Sequence, residues 1–117
     1  MSIEVRRGDV ISVNLNPIRG TETGGTRPCV IIQNDIGNTY SPHTIIAVIT
    51  RQKEIKKKYP TDVWVKKDDG GLEKDSIIQC DQIRTIDKKR IIEKYGFFDT
   101  AIMEEIDKSI KISLALT

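Results

Sequence analysis

Ile11, Val13 and Leu15 alternate with Ser12, Asn14 and Asn16, the two-residue period of a strand with one buried face. Cys29–Ile32 and Ile45–Ile49 are instead short, continuous and β-branched, as strands covered on both faces are. Between them, Asn34-Asp-Ile-Gly-Asn38 and Ser41-Pro42 carry turn-forming residues. Thr61–Lys66 alternates again, with Val63 and Val65 on one side and Asp62, Trp64 and Lys66 on the other. Gly70-Gly71 turns the chain, and Ser76–Ile83 supplies a further strand. Short strands joined mostly without helices predict a mainly β fold, a small antiparallel barrel.

The period changes in the last third. Asp87 reads as the N-cap of a short helix over Lys88–Tyr95, with Gly96 as its stop. From Asp99 onward, Ile102, Ile106, Ile110 and Leu114 recur every fourth residue beside Met103. That stripe predicts a C-terminal helix lying across the barrel. No internal repeat, linker or low-complexity stretch interrupts the pattern, so residues 1–117 are expected to form one domain.

Composition narrows the class. With 38% hydrophobic and 31% charged residues, this is the profile of a soluble globular chain. No apolar run approaches the roughly 18 residues of a membrane helix. The first residues lack the apolar core of a secretory leader, so a cytoplasmic location without membrane association is expected. Cys29 and Cys80 each sit in an apolar run and are expected to be buried free thiols.

The net charge of +2 says little, but its distribution says more. Arg51, Lys53, Lys56, Lys57, Lys58, Lys66 and Lys67 crowd one stretch, against Glu54 and Asp62 alone. Asp68, Asp69, Glu73 and Asp75 follow, with Lys74 among them. A layout of this kind can steer a polyanion to one face.

Candidate chemistry centres on Gly20-Thr-Glu-Thr-Gly-Gly-Thr-Arg-Pro28. Glycines at 20, 24 and 25 permit backbone angles that other residues resist, and Pro28 fixes the chain where a strand begins. The loop delivers Arg27, whose planar, permanently charged fork suits phosphate. Chemistry at a phosphate needs a proton acceptor, a proton donor and charge stabilisation at phosphorus. A histidine pair is excluded, because His43 is alone and sits in a turn. No spacing of His, Cys, Asp and Glu reads as a metal site, and no cofactor is expected.

Arg7-Gly8-Asp9-Val10, Gly24-Gly25 with Arg27-Pro28, Val30–Asp35, Tyr40-Ser-Pro42, Ile49-Thr50 and Gln82–Asp87 together resemble the MazF/PemK (EndoA-type) family of toxin ribonucleases. The resemblance runs collinearly over nearly the whole chain, leaving only 51–59 and 66–74 outside its pattern. It implies an SH3-like barrel of the PemK/CcdB type and a metal-independent, sequence-specific endoribonuclease acting on single-stranded mRNA. It further implies a homodimer, growth arrest, a cognate antitoxin, and contact with DNA only through the antitoxin complex. Arg27 and Thr50 take the family's catalytic positions. Arg27 would act on the phosphate and in proton transfer, and Thr50 would hold a phosphate oxygen. Glu22, Tyr59, Ser76 and Gln82 are the expected substrate-binding residues. Glutamine can address a base edge and tyrosine can stack on one. Loops 16–26 and 51–60 are expected to set the cleavage motif.

Some residues stay open between two readings. Arg84 either reads substrate or pairs with Asp81 or Asp87. Trp64 is either an interface anchor or a residue shielded by neighbouring Lys and Asp stems. Two rivals to the nuclease are a CcdB-like toxin that poisons gyrase and a noncatalytic nucleic-acid-binding module.

Overall fold

A computed structural model of the chain describes residues 3–54 and 57–117, so Lys56 of the basic run lies outside the described residues. Six strands form one antiparallel sheet: β1 (Asp9–Asn14), β2 (Thr26–Ile31), β3 (His43–Arg51), β4 (Asp62–Val65), β5 (Ser76–Asp87) and β6 (Ile91–Phe97). Their order is β4-β5-β3-β2-β1-β6. Helix α1 (Asp35–Tyr40) links β2 to β3, and α2 (Thr100–Ser113) ends the fold.

The central strands are buried on both faces. One apolar cluster joins Val10, Val30, Ala47, Ile49, Ile78 and Cys80 to Phe98 and to Ile106 of α2. The other joins Ile11, Val13, Cys29, Ile31, Ile46, Val48, Ile86 and Ile91 on the far side. Successive residues of β2 and β3 therefore serve different cores. This is why these stretches read as unbroken apolar runs. Cys29 and Cys80 are buried free thiols in different clusters, and desolvation pushes each thiol up to about 12.

The sheet is open rather than closed into a barrel. Among the described residues β4 pairs only with β5, and β6 only with β1. The turn between β4 and β5 packs against β6. Its Gly71 has φ +79, and a Cβ there would fall 2.3 Å from the Tyr95 carbonyl oxygen of β6. Only glycine allows that backbone angle together with so close an approach.

Strand β5 bends sharply within its ladder to β3. Ala47 faces Ile83, yet the next residue, Val48, faces Gln79. Cys80, Asp81 and Gln82 are thus left over on β5. A bulge of this kind strengthens twist and re-aims side chains.

Two local expectations are corrected. The predicted helix over Lys88–Tyr95 is a three-residue 3-10 turn, Lys88–Arg90, followed by β6, with Gly96 inside the strand. Asp87 does cap, accepting the Lys89 N–H at 2.8 Å, but pairing with β1 takes over at once. The turn expected over 34–38 opens α1 instead, with the Asn34 side chain accepting the Gly37 N–H at 2.8 Å. The C-terminal helix starts as expected, Asp99 Oδ1 accepting the Ile102 N–H at 2.9 Å. Its apolar stripe ends early, because Leu114 is the exposed C-cap.

Candidate active site

Arg27 and Thr50 meet because of the β2–β3 register. Ile31 pairs with Ile46 and Cys29 with Val48, so the next step on the same face places Arg27 opposite Thr50. There the apolar side chains stop and two polar ones take their place at the rim of the second core. The Arg27 Nη1–H donates to Thr50 Oγ1 at 3.0 Å, and its Nε–H donates to the Gly24 carbonyl at 3.1 Å. Thr50 is buried and Arg27 half-buried. The guanidinium plane is therefore fixed from two directions, which removes much of the entropy cost of orienting a long side chain on a ligand.

Gly25 takes φ +80 at the end of the loop, and its N–H donates to Asn16 Oδ1 at 3.0 Å. Gly20 also adopts positive φ, whereas Gly24 does not. The base of this loop is held by arginines. Arg84 Nη1–H donates to the Leu15 carbonyl at 2.7 Å and Arg90 Nη1–H to the Asn14 carbonyl at 3.1 Å. The ion pair of Arg84 with Asp81 or Asp87 does not form, because backbone carbonyls of the loop occupy the guanidinium.

Arg27 and Thr50 open into a cleft of about 600 Å³, the size of a small-ligand site. Its walls include Arg51, Leu72, Glu73, Lys74, Ser76, Glu93 and Tyr95. Three cations, Arg27, Arg51 and Lys74, face two carboxylates there, Glu73 and Glu93. Among the described residues no group of three or more His, Cys, Asp or Glu is arranged to hold a metal ion.

Of the expected substrate-binding residues, Ser76 lines this cleft and is buried, its hydroxyl donating to the Lys74 carbonyl at 2.7 Å. Gln82 sits in the β5 bulge, where its Oε1 lies 3.5 Å from the Thr23 N of the glycine-rich loop. Glu22 is exposed in that loop, its carboxylate accepting the Arg19 N–H at 2.5 Å. Tyr59 is exposed beside Lys57, whose Nζ lies 5.5 Å from the ring centroid. It precedes β4, while Val65 at the other end of β4 pairs with Ser76, so the strand separates Tyr59 from the cleft. His43 begins β3, the end remote from Thr50, and its Nδ1 lies 3.0 Å from Ser41 Oγ.

The sequence did not reveal Glu93 and Tyr95 as wall residues. The β-branched and aromatic content of 91–97 was the available signal, and the capping pattern at Asp87 masked it. Arg7-Gly8-Asp9 proves structural. Arg7 donates to the Ile32 carbonyl at 2.9 Å and to Asp107 of α2 at 2.6 Å, and Asp9 pairs with Lys94 at 3.0 Å.

An antiparallel sheet with one terminal helix, carrying an arginine–threonine pair in a charged rim cleft, describes a small mainly β domain with a site suited to an anion. The chain belongs to the PemK-like, MazF-like toxins of type II toxin–antitoxin systems, whose family model matches residues 6–114. It is 48% identical over 112 residues to endoribonuclease EndoA of Bacillus subtilis (strain 168), covering 96% of each chain. In fold it is similar to MazF from Deinococcus radiodurans, with a TM-score of 0.82, 20% identity, and 97% of this chain and 98% of that one covered. It is likewise similar to an endoribonuclease solved in complex with its cognate antitoxin from Mycobacterial species, with a TM-score of 0.80, 22% identity and 97% of each chain covered.

Proposed function

We propose that this toxin is an endoribonuclease that cuts single-stranded mRNA in the Arg27–Thr50 cleft without a metal ion. The supporting observation is the Arg27 guanidinium held 3.0 Å from the Thr50 hydroxyl at the end of a packed ladder, in a chain 48% identical to a named endoribonuclease. The scissile phosphate sits against both groups. Attack by the 2′-oxygen on phosphorus builds negative charge on the equatorial oxygens. Fixed donors stabilise that charge better than they stabilise the ground state. Thr50 holds one phosphate oxygen, while Arg27 neutralises charge and passes a proton to the departing 5′-oxygen. The proton released by the attacking 2′-hydroxyl is taken up through solvent to restore the guanidinium, so no net proton is gained or lost. The P–O5′ bond breaks as the P–O2′ bond forms, leaving a 2′,3′-cyclic phosphate and a 5′-hydroxyl.

Ser76, Gln82 and Glu22 bind the substrate around this point, whereas Tyr59, on the far side of β4, is left out of the cleft. Ser76 has its hydroxyl proton engaged and so offers a lone pair to a base amino group. The chain works as one domain in the cytoplasm, where mRNA cleavage arrests growth. It does so as a homodimer. Exposed Ile112, Leu114 and Leu116 at the end of α2, and Ile92, Tyr95 and Phe97 on edge strand β6, supply apolar surface for assembly. A cognate antitoxin neutralises it, and DNA is met only through that complex.

The test is incubation of the purified protein with a long single-stranded RNA in excess EDTA, followed by mapping of the ends. Cuts at a short recurring motif, with cyclic phosphate on one side and 5′-hydroxyl on the other, are expected. An absolute need for divalent metal, or 5′-phosphate ends, overturns the mechanism.

Thr50→Val keeps the shape and loses the hydroxyl. It should cut about 10²-fold more slowly, the scale of one lost transition-state donor, while binding a non-cleavable RNA nearly as well as wild type. Single-turnover rates beside a binding titration separate these. An unchanged rate removes Thr50 from the chemistry.

A further inference from the structure

Trp64, the only tryptophan of the chain, is unused by the site just described. In β4 its neighbours Val63 and Val65 point into the first core and are buried, but Trp64 turns outward and keeps 38% of its surface exposed. It faces a groove of about 530 Å³ lined by Arg51, Gln52, Lys53, Lys74 and Asp75. Arg51 and Lys74 also line the Arg27–Thr50 cleft, so the groove continues the cleft without a break in charge.

The floor of the groove is fixed. The Gln52 side-chain amide donates to the Val65 carbonyl at 3.1 Å and to the Ser76 carbonyl at 3.4 Å, tying the turn after β3 onto β4 and β5. The Gln52 N–H donates to the Asp75 carbonyl at 3.1 Å, and the Asp75 carboxylate accepts the Lys67 N–H at 2.9 Å. The single acid of the lining is thus engaged with backbone, while Arg51, Lys53 and Lys74 supply positive charge around an aromatic face. Single-stranded nucleic acid is bound by that combination of cations along the backbone and a ring on which a base stacks.

We propose that Trp64, with Arg51, Lys53 and Lys74, forms an accessory subsite that stacks a base of the RNA strand lying beyond the cut. The proposal rests on the cleft being where RNA is cut, and it adds a residue that favours longer strands. RNA fits better than an acidic peptide, because the groove leads from the phosphate-handling pair and offers a ring face as well as charge. The subsite positions substrate and takes no part in bond breaking.

The tryptophan is its own probe. Titrating the full-length protein with a strand made non-cleavable by one 2′-deoxy sugar at the cut should quench Trp64 emission, and quench it less when the strand is trimmed to end at the cut. Trp64→Leu keeps an apolar group on β4 but has no ring face. By anisotropy of an end-labelled strand it should bind the long RNA roughly tenfold more weakly, whereas Trp64→Tyr should restore most of the affinity. The same loss should appear in KM rather than kcat, and the advantage of long over short strands should shrink in Trp64→Leu. RNA that binds with unchanged emission, or a Trp64→Leu protein that binds long RNA as wild type does, overturns the subsite. Quenching by an acidic peptide but not by RNA assigns the groove to a protein partner and overturns it equally. Quenching without cleavage would leave the subsite standing and remove the nuclease reading. Cleavage without quenching does the reverse.

Discussion

Arg27→Ala should lower the cutting rate by at least ~10³-fold while leaving the protein folded. One neutral donor to a developing oxyanion contributes roughly 10²–10³ in rate, and Arg27 adds a full charge in a cleft that partly excludes water. The structural cost is small. Arg27 lies at the rim, beyond the last buried pair of the β2–β3 ladder, and loses hydrogen bonds to Gly24 and Thr50. Those two hydrogen bonds amount to about 1–3 kcal/mol of stability. Arg27→Lys keeps the charge but not the fork, and it should recover little, because a point charge on a flexible stem cannot hold Thr50 and a phosphate together. Single-turnover cleavage, with circular dichroism and a denaturation curve alongside, checks both halves. A folded Arg27→Ala protein that cuts within about tenfold of wild type would show that the chemistry sits elsewhere.

The second large effect belongs to the substrate. A single 2′-deoxy sugar on the 5′ side of the cut should bind normally and resist cleavage by several orders of magnitude, since it removes the nucleophile. Deoxy sugars at other positions should matter only modestly. In the proposed mechanism the attacking oxygen belongs to the RNA itself, so this one hydroxyl decides the outcome. Efficient cutting of the singly deoxy strand would require water as nucleophile, and the roles given to Arg27 and Thr50 would have to be withdrawn.

Much of the fold was legible because its determinants are local. Alternation at Ile11, Val13 and Leu15 gave β1, and unbroken β-branched runs gave β2 and β3. The cap at Asp99 with its four-residue spacing gave α2. What failed was decided by distant partners. Residues 91–97 follow a genuine capping residue, yet pairing with β1 makes them a strand. The Gly71 turn meets Tyr95 of β6 across segments far apart in sequence, which no local pattern announces. The site divides in the same way. Register explains why Arg27 and Thr50 meet, and a reader of two neighbouring strands can count it. The cleft walls at Glu73, Glu93 and Tyr95 come from loop packing and edge pairing, which no short pattern announces. Arg84 resembled a partner for acids because its own strand carries them, but its fork reaches the carbonyls of Leu15 and Pro17.

Because β1, β2, β3 and β5 each line both apolar clusters, neither core can melt without stripping cover from the other. Proteins are commonly silenced by partial opening of one weakly attached unit, but here the strands that carry Arg27 and Thr50 are the ones shared most completely. Dismantling the cleft would therefore uncover apolar surface on both sides of these strands. Any molecule that binds the folded cleft and not the unfolded chain stabilises the whole chain by RT ln(1 + [L]/Kd). An inhibitor bound there acts at once as a plug and as a fold stabiliser, and its removal releases a cutter that is already assembled.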